Sequence, residues 1–191
     1  VADGSPVNRF YDVMLDPLTL RLTLVLGGAR SGKSRFAEKL AASHAAPWLY
    51  IATAEALDEE MRQRIQEHRQ RRGAMWRTLE APYDLTAALP GAGGDCGVVL
   101  IDCLTLWLSN IMLAGRDPGA ARAELLAALG KAETPVIAVT NEVGLGIVPD
   151  NPLARRFRDE QGRLNAELAA IADRVVLMAA GLPLTLKGAD R

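Results

Sequence analysis

Eight consecutive residues, Gly27, Gly28, Ala29, Arg30, Ser31, Gly32, Lys33 and Ser34, follow the pattern G-x-x-x-x-G-K-[ST]. Glycines at these spacings let the backbone wrap an anion with its N–H groups turned inward, and a helix starting at the second glycine adds partial positive charge. Lys33 then reaches the β and γ phosphates of a nucleoside triphosphate, and the Ser34 hydroxyl is offered to Mg²⁺. Asp102 closes the apolar run Val98, Val99, Leu100 and Ile101. A carboxylate at the C-terminal end of a buried strand sits at the edge where open α/β sheets bind ligands. There it would hold Mg²⁺ through a water, and a competing role is to cap a helix entering at Thr105.

A second chemistry comes from His68, one of two histidines. Met61, Ile65 and His68 recur at i, i+4 and i+7, so the imidazole shares the inward stripe of a helix predicted over 58–72. Between residues 62 and 77 six arginines face one glutamate, a positive field that draws in phosphate. Near neutral pH an imidazole attacks an α-phosphate without a separate base, giving a phosphoramidate. Packing on the protein body is the competing role for a lone histidine, and a solvated face is the competing role for the arginines.

These groups need a scaffold, and the chain alternates strand and helix patterns. Strands are predicted at Leu20–Leu26, Trp48–Ala52, Trp76–Leu79, Val98–Ile101 and Val136–Thr140. Helices are predicted at about Lys33–His44, 58–72, Asp84–Leu89, Thr105–Leu113 and Pro118–Ala132, with a Gly-rich loop over Pro90–Gly97. Asn151 and Pro152 supply an N-cap and first-turn proline for a long helix to Ala172, and Val175–Met178 with Leu184–Leu186 would form a hairpin around Gly181. Such alternation predicts a mostly parallel sheet with helices on both faces and a C-terminal hairpin at one edge. The fold class is α/β, a P-loop NTPase of RecA-like type. Residues 1–18 read as a poorly ordered extension and 19–191 as a single nucleotide-binding and catalytic domain.

Composition narrows the partners. The chain has 191 residues, 49% of them hydrophobic, and 22 basic residues nearly cancel 23 acidic ones. That balance argues against a nucleic-acid partner. The longest apolar stretch, near Val175 to Leu184, is interrupted by Gly181 and Pro183, so no membrane span is expected. Cys96 and Cys103 fit neither a zinc site nor a disulfide framework, and the first residues lack the features of a signal peptide, which suits a soluble cytoplasmic protein.

The blocks GGARSGKS followed by Arg35 and Glu38, YIATAEALDEEMRQRIQEHRQRR, WRTLEAP, the Asp102 strand and VTNEVGLGIVPDNPLARRFRDEQGRLNAEL occur in that order. Together they resemble the bifunctional adenosylcobinamide kinase and adenosylcobinamide-phosphate guanylyltransferase family of cobalamin biosynthesis, over about residues 20–187. The resemblance implies phosphorylation of adenosylcobinamide by ATP or GTP, then transfer of GMP from GTP to give adenosylcobinamide-GDP and pyrophosphate. It implies nucleotide-phosphate binding by Gly27 to Ser34, a position near the nucleotide for Thr53, and guanylylation of His68. Arg69 and Arg72 would grip the transferred phosphate or its nucleotide, and Glu80 and Asp102 match acidic positions at the nucleotide or Mg²⁺ site. Glu67 stands where some members carry a histidine, leaving His68 the only candidate in its helix. A homo-oligomer is expected, by resemblance a trimer with the corrinoid between subunits. Asn141 and Glu142 fit either a ligand contact or a turn and cap role. The residues alone also fit a P-loop small-molecule kinase without a covalent intermediate, or a non-catalytic nucleotide-dependent switch.

Overall fold

In this computed structural model the described residues are 20–55, 59, 62, 73–89 and 95–188. They form β1 (Leu22–Gly27), α1 (Lys33–Ala41), β2 (Trp48–Ala52), β3 (Trp76–Glu80), α2 (Leu85–Ala88), β4 (Val98–Asp102), α3 (Leu104–Leu113), α4 (Pro118–Lys131), β5 (Val136–Asn141), α5 (Pro152–Ile171), β6 (Arg174–Ala179) and β7 (Leu182–Lys187). The extension 1–18, the loop residues 90–94 and most of the predicted helix 58–72 lie outside the described residues. Of that helix, Glu59 and Arg62 are described; both are helical and form an exposed ion pair at 3.0 Å.

The strands make one seven-stranded sheet in the order β3-β2-β4-β5-β1-β6-β7. All neighbours are parallel except β6 and β7, the antiparallel pair at one edge. The four central strands are buried nearly throughout, which is why they read as continuous apolar runs.

Alternation along each strand divides the core into two layers. Leu24, Ile51, Val99, Ile101 and Ala138 pack with Leu108, Leu125, Leu164 and Leu168 of α3, α4 and α5. Val25, Tyr50, Leu100, Ile137 and Val139 pack with Phe36, Ala37 and Ala41 of α1. Helices therefore cover both faces, as the α/β expectation requires. Among the described residues, no helix is long and apolar enough to cross a membrane.

Small boundary shifts have local causes. β1 starts at Leu22 because the Asp173 carboxylate accepts the N–H groups of Arg21 at 2.8 Å and Leu22 at 2.9 Å. α1 stops at Ala41, where the next amides tighten to i→i−3 bonds, Ser43 N–H to Leu40 and His44 N–H to Ala41. At α5 the Asn151 side chain accepts from the Leu153 and Ala154 amides, with Pro152 in the first turn, as expected from the sequence.

Candidate nucleotide site

Gly27 to Ser34 join β1 directly to α1, at the carboxyl edge of the parallel strands. Gly27 is required by close approach: a Cβ there would meet the Met178 carbonyl oxygen at 2.4 Å and Ser31 Oγ at 2.9 Å. Arg30 and Gly32 adopt left-handed φ values of 54° and 93°, which turn the chain sharply into α1. The β6–β7 turn braces the loop from outside, where Gly181 N–H donates to the Ser31 carbonyl at 3.2 Å. Ser31 Oγ is buried without a hydrogen-bond partner among the described residues, a donor the loop holds in reserve. Ala29, Gly28 and Arg30 are exposed.

Lys33 is buried, and its Nζ lies over the loop, donating to the Gly28 carbonyl at 2.5 Å. Burial pushes its ammonium below the ordinary lysine value, while Cys103 and the Asp102 carboxylate act in the opposite sense. Lys33 and Asp102 thus share one electrostatic neighbourhood.

Asp102 ends β4 level with Ala52, which is in turn level with Glu80 at the end of β3. Alternation turns all three side chains to the α1 face, because Leu100 and Tyr50, two positions earlier, and Trp76, four positions before Glu80, pack there. Tyr50 Oη donates to Asp102 Oδ2 at 3.1 Å. The helix-capping role weighed for Asp102 is not seen: α3 has Cys103 at its N-cap and no side-chain cap bond. Glu80 is exposed at the same edge, two strands from Asp102.

Thr53 is fully buried and spends its hydroxyl on the chain after Asp102, donating to the Cys103 carbonyl at 2.7 Å and accepting from the Cys103 N–H at 2.9 Å. Asn110 Nδ2 donates to the Thr53 carbonyl at 2.9 Å and the Pro82 carbonyl at 3.1 Å. Tyr50 and Asn110 are supports that sequence reasoning missed. Asn110 left a signal, a polar residue on the buried side of the apolar helix LTLWLSNIML. Tyr50 left none, since a strand tyrosine reads as core.

Glu142 caps its own turn, its carboxylate accepting from Gly144 N–H at 2.7 Å. Asn141 is the register partner of Gly27, next to the loop. The structure therefore brings together Gly27–Ser34, Asp102 and Asn141, with Glu80 further along the edge. His68, Arg69 and Arg72 lie outside the described residues.

Residues 23–186 match the family described as cobinamide kinase / cobinamide phosphate guanyltransferase. The chain is 51% identical over 168 residues to the bifunctional adenosylcobalamin biosynthesis protein CobP of Pseudomonas aeruginosa, covering 86% of this chain and 96% of that protein. It is 42% identical over 181 residues to the bifunctional adenosylcobalamin biosynthesis protein CobU of Escherichia coli, covering 87% and 99%. Among solved structures it resembles an ATPase of a bacterial type III secretion system, with TM-score 0.53 at 11% identity over 86% of this chain and 56% of that one. That likeness concerns the fold alone. The chain belongs to the cobinamide kinase / cobinamide phosphate guanyltransferase family.

Proposed function

We propose that this protein phosphorylates adenosylcobinamide with ATP or GTP and then transfers GMP from GTP to the adenosylcobinamide phosphate. The observation that carries the reading is the loop Gly27–Ser34 between β1 and α1, with Lys33 over it and Asp102 beside it, in a chain of this family. In the first step the substrate hydroxyl attacks the γ-phosphorus, the nucleoside diphosphate leaves, and the hydroxyl proton is lost. Lys33 and the loop amides bind the charge that spreads over the phosphoryl oxygens.

In the second step a His68 ring nitrogen attacks the α-phosphorus of GTP, the bond to the β-phosphate breaks, and pyrophosphate leaves. A phosphate oxygen of the corrinoid substrate then displaces His68 and forms the new diphosphate. Arg69 and Arg72 would hold the phosphates in this exchange. Glu80 and Thr53 serve differently: Glu80 is exposed for a nucleotide contact, while Thr53 holds Asp102 through the Cys103 backbone.

Mg²⁺ fits the donor set at Ser34 and Asp102, which offers oxygens only and leaves room for water and phosphate ligands. When bound, the ion neutralises phosphate charge. Among the described residues no group of three or more His, Cys, Asp or Glu side chains could hold a metal.

We also infer a homo-oligomer, by family resemblance a trimer. Leu145, Ile147 and Val148 are exposed on one loop and Leu182, Leu184 and Leu186 on β7, apolar surface suited to a partner copy or the corrinoid. Light scattering showing a fully active monomer at micromolar concentration would reject the oligomer. Cys96 and Cys103 form no disulfide, which suits a reducing, cytoplasmic setting.

The experiment for the function is incubation with GTP labelled at the α-phosphate, then denaturation and recovery of the protein. Retained label with pyrophosphate release supports the two-step reading. Turnover of an acceptor without retained label leaves a kinase lacking the covalent step, and slow hydrolysis with neither leaves a switch.

A further inference from the structure

The end of β5 carries more construction than the phosphate loop itself requires. β4 stops pairing with β5 where Asp102 is level with Val139, so the peptide of Asn141 extends beyond its neighbour on that side. Two side chains from helices take the place of the missing strand. Thr105 Oγ1 of α3 accepts the Asn141 N–H at 2.7 Å, and Asn165 Nδ2 of α5 donates to the Asn141 carbonyl at 3.0 Å. On the opposite side Glu142 N–H continues the ladder to the Gly27 carbonyl at 3.1 Å.

The two substitutes are held in turn by a buried polar cluster. Thr140 Oγ1 donates to Asn165 Oδ1 at 2.9 Å, and Gln161 Nε2 donates to Thr140 Oγ1 and Asn165 Oδ1, each at 2.9 Å. Thr140 and Gln161 are 0% exposed, Asn165 6% and Thr105 7%. On α5, Gln161 and Asn165 occupy the same inward stripe as Leu164 and Leu168, where apolar residues would pack without polar groups to satisfy. A fold needing only stability would put leucine there.

What the cluster fixes is the direction of Asn141. Thr140 points toward α3 and α5, so Asn141, one residue on, presents its carboxamide to the α1 face, the side of Lys33 and Asp102. Laterally β5 lies between β4, which carries Asp102, and β1, which opens into the loop. Neighbouring strands are about 4.8 Å apart, so the carboxamide stands between the two halves of the phosphate site. Among the described residues it has no hydrogen-bond partner, while its own N–H and carbonyl are both bonded.

We propose that the Asn141 carboxamide donates a hydrogen bond to the terminal phosphate of the bound nucleoside triphosphate, and that Thr105, Gln161 and Asn165 are positioning residues that hold it there. The proposal rests on the nucleotide reading above and extends it. A neutral donor there distinguishes triphosphate from diphosphate without adding charge to a site that already has Lys33.

The test is calorimetric titration of the full-length protein with the β,γ-imido analogue of ATP and with ADP. Asn141→Ala should weaken the triphosphate analogue about 10-fold or more, as for a hydrogen bond to a charged group, and leave ADP within about twofold. Asn141→Asp keeps the shape but replaces the donor by a charge, and should weaken the analogue further. Thr105→Val should reproduce the triphosphate-selective loss in part, and Thr105→Ser should restore it. Equal weakening of both nucleotides by Asn141→Ala, or no weakening, overturns the contact. A Thr105→Val protein that melts earlier yet keeps its preference for triphosphate overturns the positioning role. Wild-type protein that binds neither nucleotide overturns the nucleotide reading itself.

Discussion

Thr53 and Cys103 exchange two hydrogen bonds across the ends of β2 and β4, with the Thr53 hydroxyl donating at 2.7 Å and accepting at 2.9 Å. One buried side chain thereby satisfies both backbone groups of the residue after Asp102. Thr53→Val keeps the shape and strands the buried Cys103 N–H, while the Cys103 carbonyl keeps the Trp107 N–H at 3.2 Å, so it should cost about 1 to 3 kcal/mol, and Thr53→Ser should retain most of the stability. Urea midpoints at constant m-value measure this, and a valine variant as stable as wild type would show that the clamp is idle.

Lys33→Ala should weaken nucleoside triphosphate by roughly 1.5 to 3 kcal/mol, because a charge-assisted contact to phosphate is lost, and both half-reactions should slow. Asp102→Asn preserves an acceptor for Tyr50, so nucleotide affinity should change less than turnover as a function of Mg²⁺ concentration. Calorimetry and separate assays of the two half-reactions check the pair. Normal affinity with normal rates in the lysine variant would discard the phosphate-loop assignment.

His68→Ala should abolish both retained α-label and guanylyl transfer while leaving part of the kinase activity, since γ-phosphoryl transfer proceeds without a covalent intermediate. The wild-type adduct should survive alkali and be lost in acid, as P–N bonds are. Peptide mapping that places GMP elsewhere would move the nucleophile.

Burial pushes the Cys103 thiol up to about 12, with the Asp102 carboxylate acting in the same direction and Lys33 opposing it. The folded state therefore prefers the neutral thiol. Its contribution to stability is complete below the unfolded thiol value of 9.0 and is lost as pH rises from there toward about 12. Wild type should lose stability relative to Cys103→Ala over that window, by up to about 1.4 kcal/mol per pH unit. Parallel melting curves of the two proteins between pH 8 and pH 10, with no growing difference, would contradict it.

The order of elements was legible because each has a local cause. Trp48–Ala52 is a strand at the predicted bounds, and the helix begun by Asn151 and Pro152 begins where its cap demands. Gly27 to Ser34 could be read as the tight turn from β1 into α1 because the pattern itself encodes the backbone conformation it needs. Asp102 could be placed at the sheet edge because an apolar run ending in a carboxylate has one natural position in a buried parallel strand.

Partners distant in the chain were not legible. Nothing in the periodicity of YIAT announces that Thr53 would serve Cys103, 50 residues away, or that Tyr50 would reach Asp102. Gln161 and Asn165 are polar residues in the leucine stripe of α5, but a stripe does not say what it meets. Local sequence decides backbone conformation through sterics, caps and hydrophobic period, and so it determined the loop, the strands and their alternation. Hydrogen bonds between side chains and distant peptides depend on strand order and register, and so only the tertiary structure decided that Thr105 and Asn165 complete the end of β5 and turn Asn141 toward Lys33 and Asp102.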